Sequence, residues 1–283
     1  MFRFSRTPTV VLAICLVGCA AKSNDKTGLW RKIMRSGDAL YSARAELGDL
    51  DKSIQWYLSG VREFPDQATM MGRLSRAYVA RAYGHPDDGL DGYSTAREFG
   101  LRCLMTNPSF NGLVQSAGGT VTRRAVETVE KDMVECLTWT SLAWSRWLDN
   151  RGVIGASIDL SAVKALARRA VEVDPEFDGG RPHAALGLAL ALAPEPLKPK
   201  LKGARKHFNS AIEISPDRLT YQVDLAQYVS AAQGNQEEWV SILGRVRDTV
   251  LSPDDPDALE NAQAVERAQT LLGAGLDTRW DGD

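Results

Sequence analysis

The chain has 283 residues, 44% of them hydrophobic and 25% charged, with a formal net charge of −2. That length and apolar share suffice for one sizeable core or one short solenoid. A near-neutral balance lacks the basic face that binding nucleic acid requires, so no nucleic-acid partner is expected.

Residues 1–18 read as a lipoprotein signal peptide. Arg3 and Arg6 form its positive end, Val10 to Val17 a short apolar run, and Leu16-Val17-Gly18-Cys19 has the form of a bacterial lipobox. The run is too short to span a bilayer as a stable helix. Cys19 then becomes the lipidated N-terminus; the alternative is an ordinary signal peptide cut elsewhere. Ala20, rather than Asp, follows the cysteine. By analogy with lipoprotein sorting in Gram-negative bacteria, this favours the periplasmic face of the outer membrane over the inner membrane. Residues 19–28 read as a lipidated polar tether.

From residue 29 the chain reads as helix after helix, with no alternating β-branched runs bounded by hairpin turns. Helices are expected over 29–46, 50–64, 67–83 and 93–105, with a turn-rich loop at 84–92. Residues 109–120 read as a loop or a broken short helix. A short helix to about Lys131 follows, and Asp132-Met-Val-Glu135, a capping-box pattern, starts another that runs to Leu148. Further helices are expected over 160–173, 183–193, 201–214, 218–233, 237–251 and 254–273, before a loose tail at 277–283. Asp178-Gly-Gly-Arg-Pro182 reads as the place where one helix stops and the next begins.

One spacing recurs. A small residue, an aromatic or small residue four later, a small residue three after that and a proline five further on occur at four places. They are Ser53/Tyr57/Gly60/Pro65, Ala96/Gly100/Cys103/Pro108, Val163/Ala167/Ala170/Pro175 and Ala204/Phe208/Ala211/Pro216. The prolines lie 43, 67 and 41 residues apart, longer than the roughly 34-residue tetratricopeptide period. The fold class this predicts is all-α, a degenerate tetratricopeptide-like helical-hairpin array over residues 29–276.

Chemistry-bearing motifs are sparse. His85, His183 and His207 show no zinc-ligand spacing, and there is no GxSxG, Walker or CxxC motif. No enzyme activity, metal or cofactor is expected. His183 opens a helix just after Gly179-Gly180, where free N–H groups could hold an anion; a capping or packing role is the alternative. Trp139, Trp144 and Trp147 fall at about 0°, 140° and 80° around one helix. Three indoles on one arc either line a ligand cavity or pore, or fill a wide space between helices. Cys103 and Cys136 either form a disulfide, which a periplasmic address permits, or pack as buried thiols.

Taken in order, these features resemble the TatT-like T-component family of tetratricopeptide-associated TRAP transporters, over almost the whole mature chain. The resemblance rests on the lipobox at Cys19, Leu137-Thr-Trp139-Thr-Ser-Leu-Ala-Trp144 and Arg169-Ala-Val-Glu-Val-Asp-Pro-Glu-Phe-Asp-Gly-Gly-Arg-Pro-His183. It rests also on Leu186-Gly187, the Ala204/Phe208/Ala211 spacing, Leu259-Glu-Asn261 and Arg267-Ala-x-x-Leu271-Leu272. It implies a lipid-anchored periplasmic homotrimer that binds a TRAP-type solute-receptor protein, with a pore or apolar cavity through each protomer. Its ligand would be apolar or an organic acid. Residues 197–203, with alternating lysines, depart from the Gly-Gly-Asp type turn of the family. A generic adaptor lipoprotein in envelope assembly is the alternative function.

Replacing Cys19 by Ser should release the protein from the membrane, since each acyl CH₂ withdrawn from the bilayer removes about 0.8 kcal/mol of binding. Membrane pelleting that survives a salt wash in Cys19→Ser overturns lipidation at this residue.

Overall fold

The computed structural model describes residues 15–44, 47–83, 89–151, 157–192, 198–252 and 255–274. Its described residues contain helices and turns and no strand. Residues 1–14 of the expected signal peptide, His85 and the expected tail lie outside the described residues.

The N-terminal part comprises α1 (Cys15–Ser42), α2 (Leu47–Glu63), α3 (Ala68–Tyr83) and α4 (Gly89–Met105), each packed on the next or joined to it by a short turn. Helix α1 begins well before residue 29, and its backbone includes Cys19. Pro108 does not only end a helix: with Asn107 as N-cap it opens α5 (Pro108–Ser116), in the stretch expected to be irregular. Helix α6 (Arg123–Val126) is capped by Thr122, and a 3₁₀ turn at Lys131–Met133 leads into α7 (Val134–Arg151). Then come α8 (Ser157–Val173), α9 (Phe177–Ala191), α10 (Leu201–Ile214), α11 (Leu219–Leu225), α12 (Gln236–Arg247) and α13 (Ala258–Gly273). A π-helical turn, Ala226–Ser230, continues α11 where a regular helix to Gln233 is expected.

All twelve non-proline positions of the recurrent spacing are buried, whereas Pro65, Pro108, Pro175 and Pro216 are exposed. The small residues let neighbouring helices approach closely. A Cβ on Gly60 would stand 2.3 Å from Met70 Sδ, and one on Gly100 would stand 2.3 Å from Thr140 Oγ1. The proline exits two or three residues beyond the helix end because it cannot continue the hydrogen-bond ladder.

Helix α7 is the hub. It packs against α3, α4, α8 and α9, and 13 of its 18 residues are buried. Its polar residues are compatible with that burial because several bond inside the helix. Thr140 Oγ1 donates to the Cys136 carbonyl, Ser141 Oγ to Thr138 and Ser145 Oγ to Ser141. Beside the close approach at Gly100, Cys103 of α4 and Cys136 of α7 form a disulfide, with Cα atoms 5.7 Å apart.

The bridge closes a 33-residue interval, for which the chain-entropy model gives about 3–4 kcal/mol. The Cys103→Ala/Cys136→Ala double variant should unfold at lower urea by that margin with unchanged helix content. A midpoint equal to wild type shows that the bridge contributes nothing.

Candidate functional site

A buried charge cluster lies where α3, α7, α9, α11 and α13 converge. Arg146, in the hub helix, is 5% exposed and Asp224, in α11, is 3% exposed. Arg146 Nη2 donates to both Asp224 carboxylate oxygens at 2.6 and 2.5 Å, and Nη1 donates to the Tyr228 hydroxyl at 2.9 Å. The π turn supplies Tyr228, whose hydroxyl in turn donates to Asp149. Arg267 of α13 donates to the same hydroxyl at 3.3 Å, and its nearest carboxylate, Asp224, lies at 4.0 Å. Burial opposes the charge on Arg146, but Asp224, Tyr228 and Tyr93 together outweigh it and raise the guanidinium pKa well above its ordinary value. Burial pushes the Tyr93 hydroxyl up to about 12 and raises Tyr228 further, so these phenols stay neutral donors.

Two cavities share Tyr83 and Arg146 as walls. The inner chamber, 30 Å³, is bounded by Trp139, Arg181, Tyr221 and Glu260 among others. The outer vestibule, 270 Å³, is bounded by Tyr93, Tyr228, Gln263 and Arg267 among others. Arg181 is 7% exposed and lies between the rings of Trp139 and Tyr221, at 5.1 and 5.2 Å from their centroids. Its Nε reaches Asp178 at 3.4 Å.

From Asp178 an alternating chain of charges leads back to Glu260 on the chamber wall. Arg218 binds the Asp178 carboxylate at 2.9 Å and Asp257 at 2.6 Å, and Arg44 binds Glu260 while lying 3.8 Å from Asp257. Burial raises the Asp178 pKa, but Arg181 and Arg218 outweigh it and hold the carboxyl below its ordinary value. The same contacts fix an unusual backbone. Asp178, Gly179 and Gly180 take φ of 45°, 64° and 79°, in the left-handed region. Arg218 donates to the Asp178 carbonyl and the Tyr221 hydroxyl to that of Gly179. The two glycines are required here: a Cβ on Gly179 would meet Ser215 Oγ at 2.4 Å. The turn therefore restarts the helix at Arg181 and Pro182.

The residues singled out in the sequence do not converge. Trp139 lines the inner chamber. Trp144 and Trp147 instead take the guanidinium of Arg97, at 5.5 and 3.9 Å, and Arg151 lies 4.5 Å from the Trp147 ring; neither indole lines the chamber or the vestibule. The hub helix is enclosed on several sides, so one arc faces two different neighbours. His183 pairs with His207 of α10, the two Nδ1 atoms 2.9 Å apart and the rings stacked. Among the described residues no group of three or more His, Cys, Asp or Glu is arranged to hold a metal. Sequence reading missed Arg146, Asp224, Tyr228, Gln263 and Arg267 as site residues. The available signal was a lone charge in an otherwise apolar or small-residue helix, as at Arg146 in Leu142-Ala-Trp-Ser-Arg-Trp-Leu148.

An all-α hairpin array enclosing a charged, aromatic-walled cavity defines the class: a tetratricopeptide-like protein built around an internal cavity. The family model described as TRAP transporter T-component matches residues 91–277, and the chain belongs to that family. It is a family of accessory transporter components rather than of enzymes, which associates the chain with a transport system of the cell envelope. No curated protein matches the chain. No described helix is long and apolar enough to cross a membrane.

The histidine pair predicts a pH dependence. Burial, then His183, Lys206 and Arg168, push the His207 pKa down to about 4, and burial with Lys206 lowers that of His183. An unfolded histidine titrates near about 6.5, so the unfolded chain takes up protons that the folded one refuses. This contribution is fully present above that pH and is lost as pH falls toward 4. The urea midpoint should fall more between pH 7.5 and 5 in wild type than in His207→Gln; equal falls remove the pair as a cause.

Proposed function

We propose that the chain is a lipid-anchored periplasmic accessory component of a TRAP-type uptake system, and that it binds the solute-receptor protein of that system. It is tethered through Cys19, at the outer membrane in preference to the inner, and assembles as a homotrimer. A small organic acid enters its vestibule. Family membership and the lipobox support the setting and the partner.

The observation that carries the ligand reading is the pair of cavities sharing Tyr83 and Arg146, with Arg181 and Arg267 on their walls. A purely apolar ligand would leave these guanidiniums without a counter-charge beyond the protein's own, whereas a carboxylate accepts from Arg267 directly. The rings of Tyr83, Tyr93 and Tyr228, with Ala82 and Leu271, contact the apolar part of such a molecule.

Affinity-purified full-length chain should retain the candidate solute-receptor protein at micromolar concentration, and the retained complex should withstand washing at physiological salt. A receptor that elutes in the flow-through at tens of micromolar, while the chain itself is folded, overturns the partnership.

A further inference from the structure

The vestibule wall carries two side chains with hydrogen-bonding groups that the fold leaves unpaired, the Tyr83 hydroxyl and the Gln263 amide. Gln263 of α13 is 8% exposed, and neither its amide nitrogen nor its amide oxygen has a partner. Most buried side-chain amides are satisfied, so such a group marks a place where an outside partner is favourable. Whichever way the amide is turned, it offers one donor and one acceptor edge side by side.

Arg267 stands four residues on, one turn along the same helix face. Unlike Arg146, which is held by both oxygens of Asp224, Arg267 has one 3.3 Å bond to the Tyr228 hydroxyl and a 4.0 Å approach to Asp224. Its guanidinium therefore retains donors, and its position is fixed 5.2 Å from the centroid of the Tyr83 ring. The vestibule measures 270 Å³, against about 150 Å³ for an apolar cavity that takes up benzene. It has room for a ring together with a compact polar head.

Within the reading that the vestibule takes a ligand, we propose that this ligand is an N-acylated amino acid with an aromatic or apolar side chain. Gln263 donates to the acyl carbonyl of the trans amide, and Arg267 binds the carboxylate. The amide and carboxylate of such a molecule flank one carbon, as Gln263 and Arg267 occupy adjacent turns of one helix. A free amino acid fits less well: its ammonium only donates, and leaves the Gln263 N–H groups unpaired. A simple carboxylic acid leaves both edges unpaired. The exposed Glu266 and Asp149, which is engaged by Tyr228, supply the anionic rim that disfavours a second carboxylate.

Four probes separate these cases by calorimetric titration of the full chain: N-acetylphenylalanine, phenylalanine, 3-phenylpropionate and N-acetylphenylalaninamide. N-acetylphenylalanine should bind about tenfold more tightly than each of the other three, the scale of one well-made buried hydrogen bond. Gln263→Leu should erase its advantage over 3-phenylpropionate while leaving 3-phenylpropionate binding unchanged. Arg267→Met should erase its advantage over N-acetylphenylalaninamide. Replacing an unpaired amide by an apolar side chain does not endanger folding, and a thermal melt of Gln263→Leu verifies this. If 3-phenylpropionate binds as tightly as N-acetylphenylalanine, or Gln263→Leu leaves the preference intact, the amide recognition is wrong and the ligand-binding reading stands. If none of the four binds at millimolar concentration, both fall.

Discussion

The Arg146–Asp224 ion pair is the constraint on which the interior depends. Two charges withdrawn from water are tolerated only when each is fully paired, and removing one partner from such a pair typically costs about 3–5 kcal/mol. Satisfying them demands that α7 run through the middle of the array and that α11 meet it at a fixed register. The π turn lies at the same place and supplies Tyr228, whose hydroxyl meets Arg146 beside Asp224 four residues earlier. Insertions of this kind are rare in helices and concentrate where a side chain must be re-aimed. The two cavities lie against this arrangement, with Arg146 on the wall of both.

The repeat architecture was legible in the sequence because it is written in periodicity. The Ala204/Phe208/Ala211 stripe gave α10 with both of its ends, Leu201 and Ile214. The same stripe could not reveal where a helix is interrupted by long-range contacts. Asp178 adopts a left-handed backbone because Arg218, forty residues away in sequence, holds its carbonyl and its carboxylate. Gly179 and Gly180 mark that break in the sequence, but nothing local names Arg218 as the group that holds it. The π turn at Ala226–Ser230 was equally silent, since Leu219 to Gln233 carries an ordinary helical composition.

The site was harder to read than the fold, for a reason visible in the tryptophans. Aromatic side chains are conspicuous in a sequence, yet Trp144 and Trp147 lie against Arg97 in a packing role on one side of the hub, and only Trp139 reaches the chamber. The residues that line the vestibule are contributed by α3, α4, α7, α11 with its π turn, and α13, one or a few from each. Such a set has no sequence spacing. It exists only once the helices are stacked, and the trace it leaves in the sequence is a charge on a face that should be apolar.

The contact between Arg44 and Glu260 joins residues 216 positions apart. It ties the end of the first helix to the last one, beside Asp257 and Arg218. In an open solenoid each repeat touches only its neighbours, so end repeats fray first and copies can be added or deleted at modest cost. A superhelix whose first and last turns grip each other has no free end. Loss of the terminal helix strips the buried Arg44 of its partner Glu260, so melting of the last helix is coupled to that of the first.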